Sequence, residues 1–244
     1  MKDYEPVMSF DEDAADVYDD LARRGDEMET VPFLEQLARD GPALELGIGT
    51  GRIALRLAAR GIRVDGIDFS SAMVAQLRAK PGGAEIAVTM GNFADVAVPG
   101  TYRLIYVVFN TLFNLLTQDE QVRCFENVAA HLTDDGSFVV EAFVPAFLHR
   151  LRDGQHVDAE AIEAGEVRLD VLRHDMATQM IEESHVSLSR AGVRLNPVVQ
   201  RYAWPSELDL MARIARLRLK ERWAGWNQEL FTSTSSNVVS VFGR

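Results

Sequence analysis

Short apolar segments alternate with longer amphipathic segments over residues 43–143 of the chain. The apolar segments predict strands at residues 43–46, 64–67, 86–90, 104–109 and 137–143. The amphipathic segments predict helices at residues 52–60, 71–80 and 118–132. One strand, 104–109, is apolar throughout, which is typical of a parallel strand buried on both faces. The alternation predicts an α/β fold with a doubly wound, mostly parallel sheet.

The pattern changes on both sides of this core. Residues 11–22 and 31–38 carry apolar side chains at helical spacing, which predicts two helices before the first strand. β-Branched residues with partial alternation predict an antiparallel meander at residues 167–174, 179–188 and 193–202. After it, the pattern predicts a helix and two strands at residues 208–215, 217–223 and 237–242.

Composition limits the partners of the chain. It has 244 residues, of which 47% are hydrophobic, and its formal net charge is −12. So acidic a surface repels phosphate backbones, which disfavours a nucleic-acid substrate. The chain has no secretory signal pattern, and none of its apolar runs is long enough to span a membrane. We therefore expect a cytoplasmic protein. A single cysteine, Cys124, excludes an internal disulfide and any cysteine-based zinc site.

Three glycines follow the first predicted strand at alternate positions, in the stretch Glu45-Leu46-Gly47-Ile48-Gly49-Thr50-Gly51. Glycine adopts positive φ without a Cβ clash and lets the backbone approach a ligand closely. The start of the next helix favours an anionic group. The series Gly49, Gly51, Ala54 also fits a dinucleotide-binding fingerprint, so an NAD-dependent oxidoreductase is one alternative.

A second acid, Asp68, ends the second predicted strand about 20 residues after the glycines. A carboxylate in this position can accept hydrogen bonds from both ribose hydroxyls of a nucleoside. Ser70 or Ser71 is expected to cap the following helix. The glycines and the two acids together predict an adenosine-containing cofactor.

With Glu45 inside the strand, the glycine turn resembles the first motif of class I S-adenosylmethionine (SAM) dependent methyltransferases. The resemblance is to the small-molecule branch, such as glycine N-methyltransferases and amino-sugar N-methyltransferases. It implies a seven-stranded Rossmann-like sheet, with SAM as cofactor and S-adenosylhomocysteine as product. It further implies three segments: lid helices and SAM-binding core (1–150), an antiparallel insert over the active site (151–202), and a C-terminal helix and hairpin completing the sheet (203–244).

The residues predicted to bind the cofactor follow the glycine turn, the strand ends and the lid. They are Tyr18, Glu45, Gly47, Gly49, Gly51, Arg52, Asp68, Phe69, Met73, Asn92, Phe93, Phe109 and Asn110. Asn92 stands where the family more often has Asp, and an amide oxygen can still accept from an adenine amino group. Residues 109–113 lack the Asn/Asp-Pro-Pro-aromatic motif of enzymes that methylate base amino groups. Their apolar and amide side chains suit a small, partly hydrophobic acceptor.

The candidate catalytic residues are His149, Glu141 and Tyr18. Glu141 interrupts an apolar strand, so it needs either a buried partner or a chemical role. A hydroxyl acceptor needs a base, whereas an amine needs little help. His149 follows the fifth strand closely and is the first candidate for that base, while His156, His174 and His185 are further candidates. No histidine pair has metal-ligand spacing, so no metal site is predicted.

The sequence therefore predicts a SAM-dependent methyltransferase that acts on O or N of a small-molecule metabolite or natural product. One alternative is a SAM-binding protein of the same fold with a cyclisation, rearrangement or scaffold role. The NAD-dependent oxidoreductase is the other.

Overall fold

The computed structural model of the chain describes residues 1–21, 25–95 and 98–244. Its strands are β1 (Ala43–Leu46), β2 (Val64–Asp68), β3 (Ala87–Met90), β4 (Tyr102–Val107), β5 (Leu132–Phe143), β6 (Gln155–Ile162), β7 (Glu166–Asp175), β8 (Met180–Ser189), β9 (Gly192–Arg201), β10 (Arg218–Trp223) and β11 (Asn237–Gly243). Its α-helices are α1 (Glu12–Leu21), α2 (Glu27–Ala38), α3 (Ala54–Ala58), α4 (Ser71–Ala79), α5 (Gln118–His131) and α6 (Pro205–Ile214).

Seven of these strands form one sheet in the order β10-β11-β5-β4-β1-β2-β3. The five strands from β5 to β3 are parallel, and β11 is antiparallel to both β5 and β10. The order reverses between β1 and β4, which is the point where open α/β sheets bind ligands. The predicted fold class is confirmed: the sheet is mostly parallel and closes with a C-terminal hairpin.

The central strands are buried because helices cover both faces of the sheet. Every residue of β1 and β2 is buried, and so is all of β4 except Arg103. On one face Leu44 and Ile105 pack with α5 and α6, and on the other Leu104 packs with α2 and α3. Each such apolar side chain stabilises the fold by about 1.5–3 kcal/mol through burial. In the described ranges no helix has the length and apolar character needed to cross a bilayer.

Several boundaries differ from the predicted ones for backbone reasons. β4 ends at Val107, because Phe109 and Asn110 have φ of 58° and 61°, which a strand cannot contain. α3 begins at Ala54 rather than at residue 52, after the last glycine of the turn. The predicted helix 11–22 is observed as α1, and residue 22 lies outside the described residues.

The insert has four strands where the sequence predicts three. Its antiparallel sheet has the order β6-β7-β8-β9. The additional strand, β6, lies at the edge of that sheet, is exposed along nearly its whole length and contains a bulge between Ala159 and Ala161. An edge strand that buries almost nothing needs no apolar face, so it leaves little periodicity to detect.

Arg201, at the end of β9, ties the insert to the core and is only 6% exposed. Its guanidinium donates to Gln121 Oε1 at 2.7 Å and to Gln179 Oε1 at 2.9 Å, and it pairs with Glu207 at 3.2 Å. Burial raises the pKa of Glu207, but hydrogen bonds from the Trp204 N–H, Gln179 and Arg201 outweigh it and hold that pKa below its ordinary value. These bonds satisfy a buried charge that would otherwise be costly.

The turn after α4 offers a test of the packing behind the cofactor-binding edge. A Cβ at Gly83 would lie 1.8 Å from the Leu77 carbonyl oxygen, whereas one at Gly82 would meet nothing nearer than Leu55 Cδ2 at 3.9 Å. We expect Gly83→Ala to lower the free energy of unfolding by about 3 kcal/mol, the upper end of typical overpacking costs. Gly82→Ala pays only left-handed strain of about 1 kcal/mol. Urea unfolding measures both, and equal losses would contradict the clash.

Candidate active site

The three glycines of the turn after β1 serve different purposes. Gly47, Gly49 and Gly51 have φ of +69°, +54° and +79°. A Cβ would lie 2.4 Å from Thr111 Cγ2 at Gly47, and 2.4 Å from Leu77 Cδ1 at Gly51. Those two glycines are needed for packing within the protein. At Gly49 an added Cβ would meet nothing within 4 Å, so this glycine leaves open space above the turn.

Asp68 connects this turn to the following strand and helix. Its Oδ2 accepts from the Gly49 N–H at 2.7 Å, and its Oδ1 accepts from the Ser70 N–H at 2.8 Å. Burial raises the pKa of Asp68, and these backbone hydrogen bonds only partly oppose that rise. The Phe69 N–H adds a third backbone hydrogen bond to this carboxylate. Ser70 caps α4 by accepting from the Met73 N–H at 3.1 Å, as predicted for Ser70 or Ser71.

Glu45 lies inside β1 and is 3% exposed. Its Oε2 accepts from the Ala54 N–H at 3.1 Å and from the Tyr106 hydroxyl at 2.9 Å. Burial raises the pKa of Glu45 to about 8, against these hydrogen bonds. The acid therefore holds the first turn of α3 in place beside the glycines.

Helix α1 closes over the same turn through polar contacts. Asp19 accepts from Thr50 Oγ1 at 2.5 Å and pairs with Lys80 at 2.5 Å. Burial raises the pKa of Asp19, but Lys80 and Thr50 outweigh it and keep that pKa below its ordinary value. Tyr18, the preceding residue, is half-buried beside the turn, and the loss of solvent around its hydroxyl raises its pKa to about 12.

Arg52 joins the turn to the first turn of α2. Its Nη1 donates to Asp26 Oδ1 and to Glu27 Oε1, both at 2.9 Å. The guanidinium carbon lies 5.6 Å from the centre of the Phe109 ring. Burial lowers the pKa of Arg52, but the two carboxylates outweigh it and raise that pKa above its ordinary value. The cation is thus fixed at the edge where β1 and β4 end.

The loop after β4 holds two consecutive left-handed residues that are not glycine, Phe109 and Asn110. Such a conformation costs about 1–3 kcal/mol per residue and persists where neighbours enforce it. Here Glu141 accepts a hydrogen bond from the Phe109 N–H. Asn110 Oδ1 accepts from the Phe143 N–H at 2.7 Å. Glu141, 3% exposed, therefore has a buried partner and positions this loop.

These residues line an open pocket, which we call the cofactor groove. Six of the residues predicted to bind the cofactor line it: Tyr18, Glu45, Gly47, Gly49, Arg52 and Phe109. The remaining wall residues are Ile48, Thr50, Ile53, Val108 and Thr111. Gly51, Asp68 and Asn110 are not wall residues. Gly51 donates to the Ile48 carbonyl, and Asp68 accepts from the Gly49 N–H, so these two hold wall residues in place.

The other predicted cofactor residues lie along the neighbouring strand ends, outside the groove walls. Asn92 is exposed, and its Oδ1 accepts from the Ala94 N–H at 2.9 Å. Phe93 is 4% exposed and belongs to the core, and Met73 is 1% exposed. Phe69 is 36% exposed. Their contact with the adenine ring therefore stays a prediction.

The structure places His149 outside the cofactor groove. It is exposed, with its ring 5.3 Å from that of Trp204 and 5.9 Å from that of His174. His174 is buried and bonds through Nε2 to the Tyr202 hydroxyl at 3.0 Å. Burial lowers the pKa of His174, and His149 adds to that effect. These histidines pack at the junction of insert and core, so a base role for His149 stays a prediction.

The two other candidate histidines lie within the insert sheet. His156 is exposed on β6. His185 bonds to Asp170 at 2.6 Å, and Glu183 lies close enough for the three to offer ligand atoms within 4.8 Å of one another. None of these residues lines the cofactor groove. A role as base for His156 or His185 therefore has no support from the residues that line the groove.

Sequence reasoning missed four residues that shape the groove: Thr50, Tyr106, Asp26 and Glu27. Tyr106 is a polar side chain in an otherwise buried strand, so its hydroxyl required a buried partner. Asp26 and Glu27 precede an amphipathic helix, where acids ordinarily only favour the helix start. No sequence signal linked them to Arg52, 25 and 26 residues away.

The sheet order, the glycine turn and the acid that closes β2 define an α/β protein built to hold a nucleoside cofactor. Residues 43–136 match the methyltransferase domain family. The solved structure of the CcbJ methyltransferase from Streptomyces caelestis is 38% identical, with a TM-score of 0.92 over 98% of this chain and 99% of that one. The chain belongs to the class I SAM-dependent methyltransferases, rather than to the NAD-dependent oxidoreductases.

Two further similarities are more distant. The SAM-bound structure of CalS10, an amino pentose methyltransferase from Micromonospora echinaspora, is 22% identical, with a TM-score of 0.69 over 92% of this chain and 96% of that one. At that identity the likeness shows the fold alone. The YqeM protein of Bacillus subtilis (strain 168) is 27% identical over 125 residues, 50% of this chain and 51% of that protein. The chain spans about half the length of the curated relatives it matches.

Gly49 provides a direct test of the cofactor groove. Gly49→Ala places a Cβ in the open space above the turn, so we expect SAM to bind at least about tenfold more weakly. Gly61→Ala is the matched control, because Gly61 also has positive φ (+86°) and no neighbour within 4 Å of an added Cβ. Both variants carry similar strain, and calorimetry with SAM compares them. Equal affinity of the two variants would show that position 49 does not face the cofactor.

Glu45 predicts a pH dependence of stability. Its pKa in the folded chain, about 8, lies above the ordinary 4.5, so the unfolded chain loses this proton first as the pH rises. Its contribution to stability is therefore lost progressively between about pH 5 and about pH 8. We expect Glu45→Gln to flatten this decline in urea unfolding of the SAM-free protein. Glu85→Gln, an exposed acid, should keep the wild-type slope, and an unchanged slope in Glu45→Gln would refute the assignment.

Proposed function

We propose that this protein transfers the methyl group of SAM to a nitrogen atom of a small-molecule acceptor. Family membership supports the reaction class, and the shape of the groove supports the cofactor. Gly49 leaves its space open, and Asp68 holds the Gly49 N–H from behind the turn. The net charge of −12 disfavours a nucleic-acid acceptor.

The groove's own side chains suit the parts of SAM by charge. Arg52 offers a fixed cation for a carboxylate, and the glycine turn offers a close approach to the backbone. Asp68 holds the Gly49 turn from behind the groove wall, and we propose that the ribose lies against that turn. SAM supplies an activated methyl group when bound, so the chain's task is to orient acceptor and donor and exclude water.

The choice of nitrogen rests on the titratable side chains of the groove walls. In the described chain these are Tyr18, Glu45 and Arg52. Tyr18 has a pKa of about 12 and Glu45 a pKa of about 8, so both keep their protons at pH 7. Arg52 is a cation. No wall residue is therefore ready to remove a proton from a hydroxyl, whereas an amine attacks through its free lone pair.

Similarity to a known enzyme points the same way. CalS10, which shares the fold, is an amino pentose methyltransferase. An amine-bearing small molecule is consistent with the groove chemistry in the present chain. The scaffold and rearrangement alternatives share the SAM-binding fold, so they differ from the proposal only in the product formed.

The proposal predicts a preference for amines over matched alcohols. The purified protein is incubated with SAM and with isosteric pairs, including glucosamine with glucose and cyclohexylamine with cyclohexanol. Because no wall residue activates a hydroxyl, we expect amines to be methylated at least about 100-fold faster than their partners. Mass spectrometry detects the added methyl group, and S-adenosylhomocysteine is quantified in parallel.

Two results would contradict the proposal. Alcohols methylated as fast as the amines would move the acceptor atom to oxygen. SAM binding without a methylated product from any pair, and with no S-adenosylhomocysteine formed, would favour the scaffold or rearrangement alternatives.

A further inference from the structure

The insert sheet, formed by β6 to β9, has one apolar face. Directly opposed residues of neighbouring antiparallel strands point to the same side of a sheet. One such row runs through Ala159, Leu169, Val186 and Leu195, with one residue from each strand. The rows before and after it continue the same side. The exposed large side chains of these rows define what we call the apolar face: Val157, Ile162, Val171, Leu188, Val193 and Leu195.

The opposite face of the insert sheet is polar, and it is the face that meets the core. It carries Asp170 and His185, which lie opposite each other and bond at 2.6 Å. Leu172 and Ile181 lie on the same side, are 9% and 2% exposed, and pack in the main core cluster. The apolar face is therefore turned away from the core.

This arrangement is the reverse of what a single chain in water favours. An antiparallel sheet with one solvated face ordinarily turns its apolar side chains to the core and its polar ones to water. On the apolar face, however, Ile162 is 77% exposed, Val193 67% and Leu195 63%. A contiguous apolar patch that extends across four strands marks an interaction surface.

The two edges of the insert sheet are protected against pairing with another strand. At one edge, β6 contains a bulge between Ala159 and Ala161. At the other edge, β9 contains Pro197, which has no N–H to donate and whose carbonyl accepts from the Ser9 hydroxyl at 2.7 Å. Bulges and prolines are common ways of blocking edge-to-edge association. A partner therefore meets the apolar face rather than an edge.

The size of the insert sheet fits association with a second copy of the chain. Its four strands have eight to ten residues each. At about 4.8 Å between strands and about 3.3 Å per residue, each face of the sheet measures about 500 Å². Two sheets that face each other cover about 1,000 Å² together, which is the size at which specific interfaces begin.

Charge favours a second copy over an anionic membrane as the partner. The chain has a net charge of −12, so anionic lipid surfaces repel it. Two copies also repel each other, but least where they meet through uncharged side chains. Among the described residues, the rows from Val157–Val171 to Ile162–Val167 have no charged side chain on the apolar side. Two copies can therefore approach closely through this face.

We propose that two copies of this chain associate through their apolar faces. The two insert sheets pack face to face about 10 Å apart, as in a β-sandwich. A twofold axis lies between them, so each residue of the interface appears twice. Removal of the exposed apolar side chains from water supplies the driving force. The inference does not depend on the proposed function, because none of the six residues that define the apolar face lines the cofactor groove.

Sedimentation equilibrium of the full chain tests this association. We expect the wild-type protein to have the mass of two chains, or of a larger even number of chains if further surfaces associate. Leu195→Glu places a carboxylate in the interface twice, so we expect it to weaken the twofold contact at least about 100-fold and to halve the mass. Val193→Glu repeats the test in the neighbouring row.

Leu210→Glu on α6 is the matched control, because Leu210 is 55% exposed and lies outside the apolar face. This variant should keep the wild-type mass. Circular dichroism of all three variants shows that a change in mass does not come from unfolding.

Two results in sedimentation would overturn the inference: a monomeric wild-type protein at about 100 μM chain, or folded Leu195→Glu and Val193→Glu variants that keep the wild-type mass. Vesicles of phosphatidylcholine and phosphatidylserine provide the other comparison. Wild-type monomers that bind these vesicles, with binding lost in Leu195→Glu, would assign the apolar face to lipid and would also overturn the inference.

Discussion

The Asp68 carboxylate bridges two backbone N–H groups, those of Gly49 and Ser70, and the cofactor edge depends on this bridge. It joins the glycine turn after β1 to the helix start after β2. Without an acceptor there, the buried N–H of Ser70 would lose its partner, at about 1–3 kcal/mol, and the partly buried N–H of Gly49 would lose its partner as well. Because Gly49 is the glycine that faces open space, the same bond that stabilises the turn also sets the floor of the groove.

Three strands of the sheet each carry a buried acid that has the same structural role. Asp68 on β2, Glu45 on β1 and Glu141 on β5 each accept a backbone N–H from a loop or helix start that shapes the groove. Burying an acidic side chain is costly, and the cost is tolerated where hydrogen bonds satisfy it. The three acids thereby fix irregular backbone, including the left-handed pair Phe109 and Asn110. They act by positioning loops, which leaves the chemistry of methyl transfer to the donor and the acceptor.

What the sequence could predict was local. The glycine turn, the acid closing β2 and the cap at Ser70 lie within a few residues of the elements that they define. Contacts between residues far apart in the sequence could not be predicted in this way. Arg52, for example, contacts Asp26 and Glu27 only in the folded chain. His149 follows β5 closely in the sequence, and this proximity predicted a place in the active site. In the structure a short helical turn (Pro145–Arg150) places His149 beside Trp204 instead.

The roof of the groove is held by a different kind of interaction from its floor. Asp19 with Lys80, and Arg52 with Asp26 and Glu27, tie α1 and α2 down through partly exposed ion pairs. Such pairs contribute roughly 0–1 kcal/mol each and weaken with salt. The floor, by contrast, is hydrogen-bonded backbone within a buried sheet. Helix α2 is held in addition by Val31, Leu34 and Ala38, which pack into the core, so the ion pair of α1 is the weaker of the contacts above the groove.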